Sequence, residues 1–318
     1  MKATPRHVVI SDQEHGLPYS KGLMAARITA TGLAPARAFH VAEVIEDRLH
    51  DLDRAVISQS ELTAMAEAAL REEVGDRYAV SFAKWQSINR LESPLVILLG
   101  GATGVGKSTI ATMLASRLGI TRIIPTDAIR EVMRSMFSEN LLPTLQTSSF
   151  SADSVVRHPL PRSADPVIIG FSEQASAVAV GIEALVSRAI DEGTDVILEG
   201  AHIVPGFFDR SRFAGKAVVV LMVVTIDDEE LHRSHLMMRG TETRSRPSER
   251  YLEYFPNIRR LQKYIRSLAL ENDVPIVPSY NLDATLSQVI DLVVQQAFDA
   301  VPESKNNMRP RPTKRGAP

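Results

Sequence analysis

The sequence predicts an α/β protein in which a parallel sheet is flanked by helices and preceded by a small, mostly helical module. Three observations support this fold class. From Ser93 onward, short apolar runs alternate with helical patterns; a glycine-rich loop follows the first of these runs; and the first 90 residues carry helical patterns with a single strand-like run. Alternating strands and helices are typical of a parallel sheet covered by helices on both faces.

The composition is that of an ordinary globular chain. Its 318 residues are 44% hydrophobic and 23% charged, with a formal net charge of −2 and no cysteine. The near-neutral charge provides no overall attraction to nucleic acid or to an anionic membrane, and the lack of cysteine excludes disulfides and thiolate chemistry. We expect neither nucleic acid nor a membrane as a partner, and the sequence indicates no particular oligomeric state.

The N-terminal segment, which begins Met1-Lys2-Ala3, has no apolar core of the signal-peptide type. The longest apolar runs, near residues 95–99 and 217–224, are far too short to span a bilayer. We therefore expect a soluble, cytoplasmic protein.

The predicted domains are a module over 1–90, an α/β domain over 91–301 and a disordered tail over 302–318, which is rich in Pro, Asn and Arg. In the module, apolar spacing predicts one strand and three helices, the second of them capped by Ser60. The strand is expected at 7–10 and the helices at 36–49, 61–73 and about 76–90.

In the second domain, the apolar runs predict strands at 94–99, 122–124, 195–198, 217–225 and 274–277. Helices are predicted at 107–118, 128–137, 173–192, 229–239, 249–271 and 284–300. The segment 141–166 is rich in Ser, Thr and Pro and is predicted to be irregular. Loops of that length inside a compact domain are usually functional or disordered.

One motif in this domain carries a specific chemistry. Residues 101–108 match G-x-x-x-x-G-K-[ST] in full, between a predicted buried strand and a predicted helix. Glycines allow backbone N–H groups to surround phosphates, and the helix N-terminus adds positive potential. Lys107 is expected to reach the outer phosphates of ATP, and the Ser108 hydroxyl to bind Mg²⁺. The expected ATP contacts are Gly101, Ala102, Thr103, Gly104, Val105, Gly106, Lys107, Ser108 and Thr109.

A carboxylate at a strand end distinguishes a kinase from other proteins that contain this loop. Asp127 follows the second predicted strand, where the strand ends of an open α/β sheet line the ligand crevice. It is expected to accept the proton of an acceptor hydroxyl during attack on the γ-phosphate. The alternative is that Asp127 caps the helix beginning at Ala128. Arg130, one turn on, is expected to bind an anionic substrate.

Further candidates follow the third strand. Glu199 ends it, where a carboxylate would orient Mg²⁺ or a bound water and contact the substrate. His202 is an expected substrate contact, with a structural role as the alternative. His232 and His235 lie one turn apart on a predicted helix, but no third metal ligand is evident for the pair. A metal site there is therefore not expected.

An arginine-rich loop at 239–247 follows a helix and precedes another, in the position where small-molecule kinases carry a lid. Arg244 and Arg246 are expected to be catalytic, because lid arginines neutralise the charge of the transferring phosphoryl group. Arg239 is expected to contact ATP. A solvated basic turn is the alternative.

Six stretches together resemble the 2-phosphoglycerate kinase family. They run in order over most of residues 94–300, at 100–109, 125–134, 142–145, 170–178, 198–206 and 250–259. The resemblance implies a P-loop kinase that phosphorylates 2-phosphoglycerate to 2,3-bisphosphoglycerate with ATP. The local arginines, Arg130, Arg134, Arg244 and Arg246, would bind the acceptor's carboxylate and phosphate. The segment 141–166 would cover the substrate.

The first 90 residues are similar to an ATP-cone, a nucleotide-sensing domain, through the first strand, Gly16 and residues 19–23. Residues 11–15 lack the basic pair that cones usually carry there. A cone-like fold is expected, with a structural or dimerising module as the alternative. For the whole chain, two alternatives stand beside the 2-phosphoglycerate kinase: a zeta-toxin-like or gluconate-kinase-like enzyme with another hydroxylated acceptor, and a non-catalytic nucleotide-sensing regulator.

Overall fold

The computed structural model describes residues 9–12, 15–52, 54, 56–88, 93–157, 159–242 and 248–300. The chain divides into two compact units. The second unit is Ser93–Ile290, and the first holds the described residues before Ser93 together with those from Asp291. The predicted tail over 302–318 lies outside the described residues.

The first unit combines a small sheet with helices. Its first strand in the chain is central in the sheet, and it pairs antiparallel with the second strand in the chain and parallel with the third. The strands are β1 (Val9–Asp12), β2 (His15–Pro18) and β3 (Val56–Ser58), and the helices before residue 93 are α1 (Lys21–Thr29), α2 (Pro35–His50), α3 (Gln59–Glu73) and α4 (Asp76–Ile88). Strands β2 and β3 and helix α1 were not predicted. The predicted α3 cap at Ser60 is wrong, because the capping box is formed by Ser58 and Glu61.

The second unit is built on a five-stranded parallel sheet with the strand order β5-β6-β4-β7-β8. Its strands are β4 (Leu95–Gly100), β5 (Ile123–Pro125), β6 (Val196–Gly200), β7 (Val218–Thr225) and β8 (Ile276–Pro278). β4 and β6 are fully buried, as their continuous apolar runs predicted. The predicted α/β fold class is confirmed.

Helices flank this sheet. They are α5 (Lys107–Leu118), α6 (Thr126–Met136), α7 (Pro166–Asp191), α8 (Glu229–Glu242), α9 (Ser248–Glu253), α10 (Phe255–Glu271) and α11 (Leu282–Asp299). The chain moves from β4 outward to β5 and then back across the sheet. With right-handed crossovers, α5 therefore covers one face, while α6, α7 and α10 cover the other. Contacts of α7 with α6 and α10 agree with this arrangement.

Helix α7 is long and apolar enough, by length and composition, to cross a membrane. Ten of its residues are buried within the protein, among them Phe171, Gln174 and Val178. Core helices of globular proteins can have the same length and composition, and the burial of these residues is typical of such a core helix.

Three predicted elements differ from the structure. The predicted helix over 249–271 is split at Tyr254 into α9 and α10. Helix α7 begins at Pro166 instead of residue 173, after the N-cap Asp165. The segment predicted to be irregular contains two 3₁₀ helices, Pro143–Gln146 and Ser149–Val155.

Candidate active site

The glycine-rich loop connects the carboxyl end of β4 to α5, at the edge where all five parallel strands end. Two of its glycines have no room for a side chain. A Cβ on Gly101 would lie 2.4 Å from the Val224 carbonyl oxygen, and one on Gly104 would lie 2.5 Å from the side chain of Leu236. Both residues also have positive φ, 138° and 89°. The loop is therefore pressed against β7 and α8, and only glycine fits at these positions.

Helix α8 supports the loop through a buried histidine. His232 Nε2 lies 2.8 Å from the Thr103 carbonyl oxygen. Burial lowers the pKa of His232 to about 4, so the ring is neutral at neutral pH. A neutral ring bonded to a carbonyl must carry its proton on Nε2, which makes this nitrogen the donor. His232 was weighed from the sequence only as a metal ligand, and this contact was not predicted.

The two polar side chains at the start of α5 are held inside the site. Lys107 is only 6% exposed, and its Nζ donates to the Ala102 carbonyl at 2.8 Å. The Ser108 hydroxyl donates to Glu199 Oε1 at 2.8 Å. Glu199 is 7% exposed and lies on β6, opposite Leu99 of β4. The sheet register therefore brings the predicted carboxylate of β6 to the predicted metal-binding hydroxyl.

Asp127 lies in the first turn of α6, whose N-cap is Pro125. The alternative that Asp127 caps this helix is therefore wrong, since the helix begins one residue before it. Asp127, Lys107, Ser108 and Glu199 line one cavity of about 30 Å³. Two carboxylates, a hydroxyl and an ammonium group thus line one small cavity at the phosphate loop.

The close approach of Gly200 to α6 shapes this cavity. Gly200 has a φ of 157°, and a Cβ on it would lie 1.7 Å from Thr126 Oγ1. The residue before Asp127 is therefore packed directly on the backbone at the end of β6. Any side chain at position 200 must displace Thr126 and, with it, the neighbouring carboxylate.

A Gly200→Ala variant should lower both stability and kcat. The positive φ alone costs an alanine about 1–3 kcal/mol of unfolding free energy, and the contact with Thr126 adds to that. Gly193→Ala is the matched control, because Gly193 also has positive φ but open space around its Cα. Unfolding in denaturant and steady-state kinetics should show a moderate loss of stability without loss of kcat in the control. Equal kinetics in the two variants would contradict this account.

A larger cleft of about 450 Å³ is lined in part by the same loop. Its walls are Gly104, Gly106, Lys107, Ser108 and Thr109 of the loop and helix α5, His235 and Met238 of α8, and Ser279, Tyr280 and Leu282 after β8. Met238 and Tyr280 are more than half exposed. The cleft thus places an aromatic ring and a thioether beside a phosphate-binding loop.

The predicted acceptor arginines have different surroundings. Arg130 is nearly buried, with its side chain 12% exposed, and its Nη1 donates to the carbonyls of Leu145 and Thr147 at 2.8 and 3.0 Å. Arg134 is 44% exposed and forms an ion pair with Glu131. One nitrogen of Arg130 therefore binds backbone of the segment that was predicted to be irregular.

His202 is 1% exposed, and both of its ring nitrogens are hydrogen-bonded to side chains. Its partners are Thr126 and Gln174, which the sequence analysis did not include among the site residues. Thr126 directly follows a strand end and precedes Asp127, and this position could have identified it as a site residue. Gln174 carried no chemical signal in the sequence.

The predicted lid lies largely outside the described residues. Helix α8 extends to Glu242, beyond the predicted end at residue 239. Arg244, Arg246 and the side chain of Arg239 lie outside the described part of the chain. Across the described part of the chain, no group of three or more His, Cys, Asp or Glu side chains could hold a metal ion by itself.

Curated relatives match this chain over nearly its whole length. A 2-phosphoglycerate kinase of Methanopyrus kandleri is 39% identical over 289 residues, covering 91% of this chain and 87% of the relative. The enzyme of the same name from Methanothermobacter thermautotrophicus is 38% identical, with coverages of 88% and 92%. That of Pyrococcus furiosus is 35% identical, with coverages of 96% and 99%. No family model matches the chain.

Solved structures show weaker likenesses. A shikimate kinase from Acinetobacter baumannii in complex with shikimate has a TM-score of 0.38 and 16% identity, covering 65% of this chain and 97% of the other. A gluconokinase from Sinorhizobium meliloti has a TM-score of 0.33 and 16% identity, covering 64% and 91%. At these scores neither structure bears on the activity of this chain.

Proposed function

The chain belongs to the 2-phosphoglycerate kinase family, and from this membership we propose that it transfers the γ-phosphoryl group of ATP to 2-phosphoglycerate. The hydroxyl oxygen on C3 of the acceptor forms a bond to the γ-phosphorus while the bond from that phosphorus to the bridging oxygen of ADP breaks. The products are 2,3-bisphosphoglycerate and ADP, and the hydroxyl proton leaves to a base. The observation that carries the proposal is the joint cavity of Lys107, Ser108, Asp127 and Glu199 at the phosphate loop.

Asp127 is the proposed base. It follows β5 at the carboxyl edge of the sheet and shares the cavity with Lys107. A carboxylate in that position accepts the proton of the acceptor hydroxyl as the oxygen attacks. Lys107 donates to the phosphate oxygens in place of the Ala102 carbonyl and stabilises the charge on the transferring group.

The nucleoside of ATP is proposed to bind in the larger cleft. The phosphate loop lines part of that cleft, and the exposed side chains of Met238 and Tyr280 line it as well. An aromatic ring and a polarizable sulfur are good partners for the flat face of a purine. Transfer between ATP and a phosphorylated acid also fits the expected cytoplasmic location.

Mg²⁺ fits the smaller cavity. The Ser108 hydroxyl and the Glu199 carboxylate supply the oxygen atoms that this cation prefers. Few protein ligands are needed, because Mg²⁺ in such sites keeps several waters and binds substrate phosphates. When bound, the cation neutralises charge on the phosphates of ATP. Glu199 is proposed to orient the Ser108 hydroxyl toward it.

A Glu199→Gln variant should need about 10- to 100-fold more Mg²⁺ for half-maximal activity, because partners of metal ligands have effects of this size. The measurement is a Mg²⁺ titration of initial rates at saturating ATP. Glu139→Gln, at an exposed carboxylate, is the control and should not alter the requirement. An unchanged Mg²⁺ requirement in Glu199→Gln would remove this residue from the metal site.

The acceptor carries a carboxylate and a phosphate, so cationic groups are proposed to bind it. Arg134, Arg244 and Arg246 remain proposed contacts of this type. Arg130 remains a proposed contact only through nitrogens other than Nη1, because Nη1 already donates to the backbone carbonyls of residues 145 and 147. For His202 we propose no direct contact with the acceptor, because both of its ring nitrogens are bonded to side chains.

The direct test is an assay of the purified chain with ATP, Mg²⁺ and a panel of acceptors. We expect ADP formation with 2-phosphoglycerate and identification of 2,3-bisphosphoglycerate as the product by ³¹P NMR. 3-Phosphoglycerate, glycerate and gluconate serve as comparison acceptors. No product from 2-phosphoglycerate, or faster turnover of gluconate, would refute the proposal.

For the first unit we keep the prediction of a cone-like module, without assigning it a nucleotide. Calorimetric titration of ATP into a full-length Lys107→Met variant tests it, because the phosphate loop then binds ATP weakly. A residual binding event that persists in this variant would favour a nucleotide site in the first unit. No residual binding would favour a structural or dimerising module.

A further inference from the structure

A chain of buried hydrogen bonds joins the residue next to Asp127 to the first 3₁₀ turn of the segment 141–166. Thr126 Oγ1 lies 2.9 Å from His202 Nδ1, and His202 Nε2 lies 3.0 Å from Gln174 Oε1. Gln174 Nε2 donates to the carbonyl of Thr144 and, at 3.0 Å, to that of Thr147. Thr126 and Gln174 are 0% exposed, so water does not compete for these bonds.

The direction of every bond in this chain follows from its last member. Carbonyl oxygens only accept, so the Gln174 amide nitrogen donates to both carbonyls and its oxygen faces His202. His202 Nε2 must therefore carry a proton. Burial lowers the pKa of His202 to about 4, so the ring is neutral and Nδ1 accepts from the Thr126 hydroxyl. One tautomer of His202 satisfies all partners.

A second side chain from α6 binds the same turn. Arg130 Nη1 donates to the carbonyls of Leu145 and Thr147, so the Thr147 oxygen accepts from both Arg130 and Gln174. Arg130 lies one turn after Asp127 on α6. The backbone of residues 144–147 is thereby held on one side by α6, the helix that carries the proposed base, and on the other by α7.

We propose that Gln174 and His202 are positioning residues for the acceptor, which hold the turn at 144–147 beside Asp127 so that the substrate hydroxyl meets the base. This inference rests on the proposed function. It assigns a role to Gln174, which lies in a family-like stretch whose purpose the residues alone did not indicate. It also explains why a histidine close to Asp127, Arg130 and Lys107 is kept neutral and away from solvent.

The test uses two full-length variants at position 174. Gln174→Met removes all three bonds at similar volume, whereas Gln174→Glu keeps an acceptor for His202 but places an oxygen against two carbonyls. Both should raise the KM for 2-phosphoglycerate about tenfold or more, with the KM for ATP within about twofold of wild type. Thr126→Val, at the other end of the chain, should shift the acceptor KM in the same direction by a smaller factor.

Gln262→Met is the matched control for a purely structural effect. Gln262 is also buried, and its amide binds both backbone polar atoms of Ile226 at 3.2 and 2.7 Å. We expect a comparable loss of thermal stability with an unchanged acceptor KM. The proposal is overturned if the position-174 variants keep the wild-type acceptor KM, or if Gln262→Met shows the same selective rise. A wild-type chain that forms no 2,3-bisphosphoglycerate would instead refute the proposed function itself.

Discussion

An Asp127→Asn variant is expected to lose about 10²–10⁴-fold in kcat, the range that a positioned general base contributes. Asparagine has nearly the same shape as aspartate, so the first turn of α6 and the packing of Thr126 on Gly200 should be retained. The amide cannot accept the hydroxyl proton. ATP affinity, measured by calorimetry, should therefore stay within about twofold of wild type while turnover falls.

Asp76→Asn is a matched control for this experiment. Asp76 also lies in the first turn of a helix, α4, and its side chain is 78% exposed. Its loss removes the same favourable interaction of a carboxylate with a helix N-terminus, without touching the cavity at the phosphate loop. A variant of Asp127 that turns over as fast as the Asp76 control would exclude Asp127 as the base.

A Lys107→Met variant should lose at least about 10²–10³-fold in kcat/KM for ATP, the cost of removing one preorganised donor from a developing charge. Lys107 is 6% exposed and held within the loop, so its ammonium group acts where water screens it little. Methionine replaces the aliphatic stem of lysine and removes the ammonium group with its charge. Initial rates over a range of ATP concentrations give the result.

The control for charge loss is Lys216→Met, at an exposed lysine in the turn before β7. It lowers the net charge equally and should leave the kinetics unchanged. The Lys107→Met and Asp127→Asn variants are also expected to differ from one another. Lys107→Met weakens ATP binding, whereas Asp127→Asn leaves ATP binding unchanged. If Lys107→Met retained wild-type kcat/KM, the phosphate loop would not be the site of transfer.

Much of the second unit could be predicted from the sequence because its signals are local. Helix α5 has the predicted limits, and the five strands begin and end within two residues of the predicted ones. The wrong predictions in this unit, the start of α7 and the unbroken helix over 249–271, did not take account of a proline at each position. Asp165 before Pro166 marks the true start of α7, as an N-cap followed by proline, and Pro256 marks the break between α9 and α10.

The first unit was harder because its sheet depends on distant pairing. β3 has three residues and pairs with β1 across more than 40 positions, so its apolar content is too short to predict a strand by itself. α1 has nine residues, near the lower limit for a helix with a readable period. Tertiary pairing, which no window of sequence contains, decides both elements.

In the site, too, residues with a local sequence signal could be predicted, whereas those defined by distant contacts could not. Lys107, Ser108, Asp127 and Glu199 were predicted from a motif and from strand ends, and they line one cavity. Gln174 could not be predicted, because its importance comes from carbonyls about 30 residues away. Likewise, Arg130 and His202 were predicted by residue type to meet the substrate, whereas the fold uses their nitrogens for internal bonds.

The turn at 144–147 is tied to α6 and α7 through four hydrogen bonds to its backbone oxygens. Backbone atoms are the same in every amino acid, so these four bonds do not themselves require particular side chains in the turn. Substitution of half-buried Gln146 therefore leaves these bonds in place. For protein engineering, a library at this position changes the surface of the turn while its support from α6 and α7 is kept.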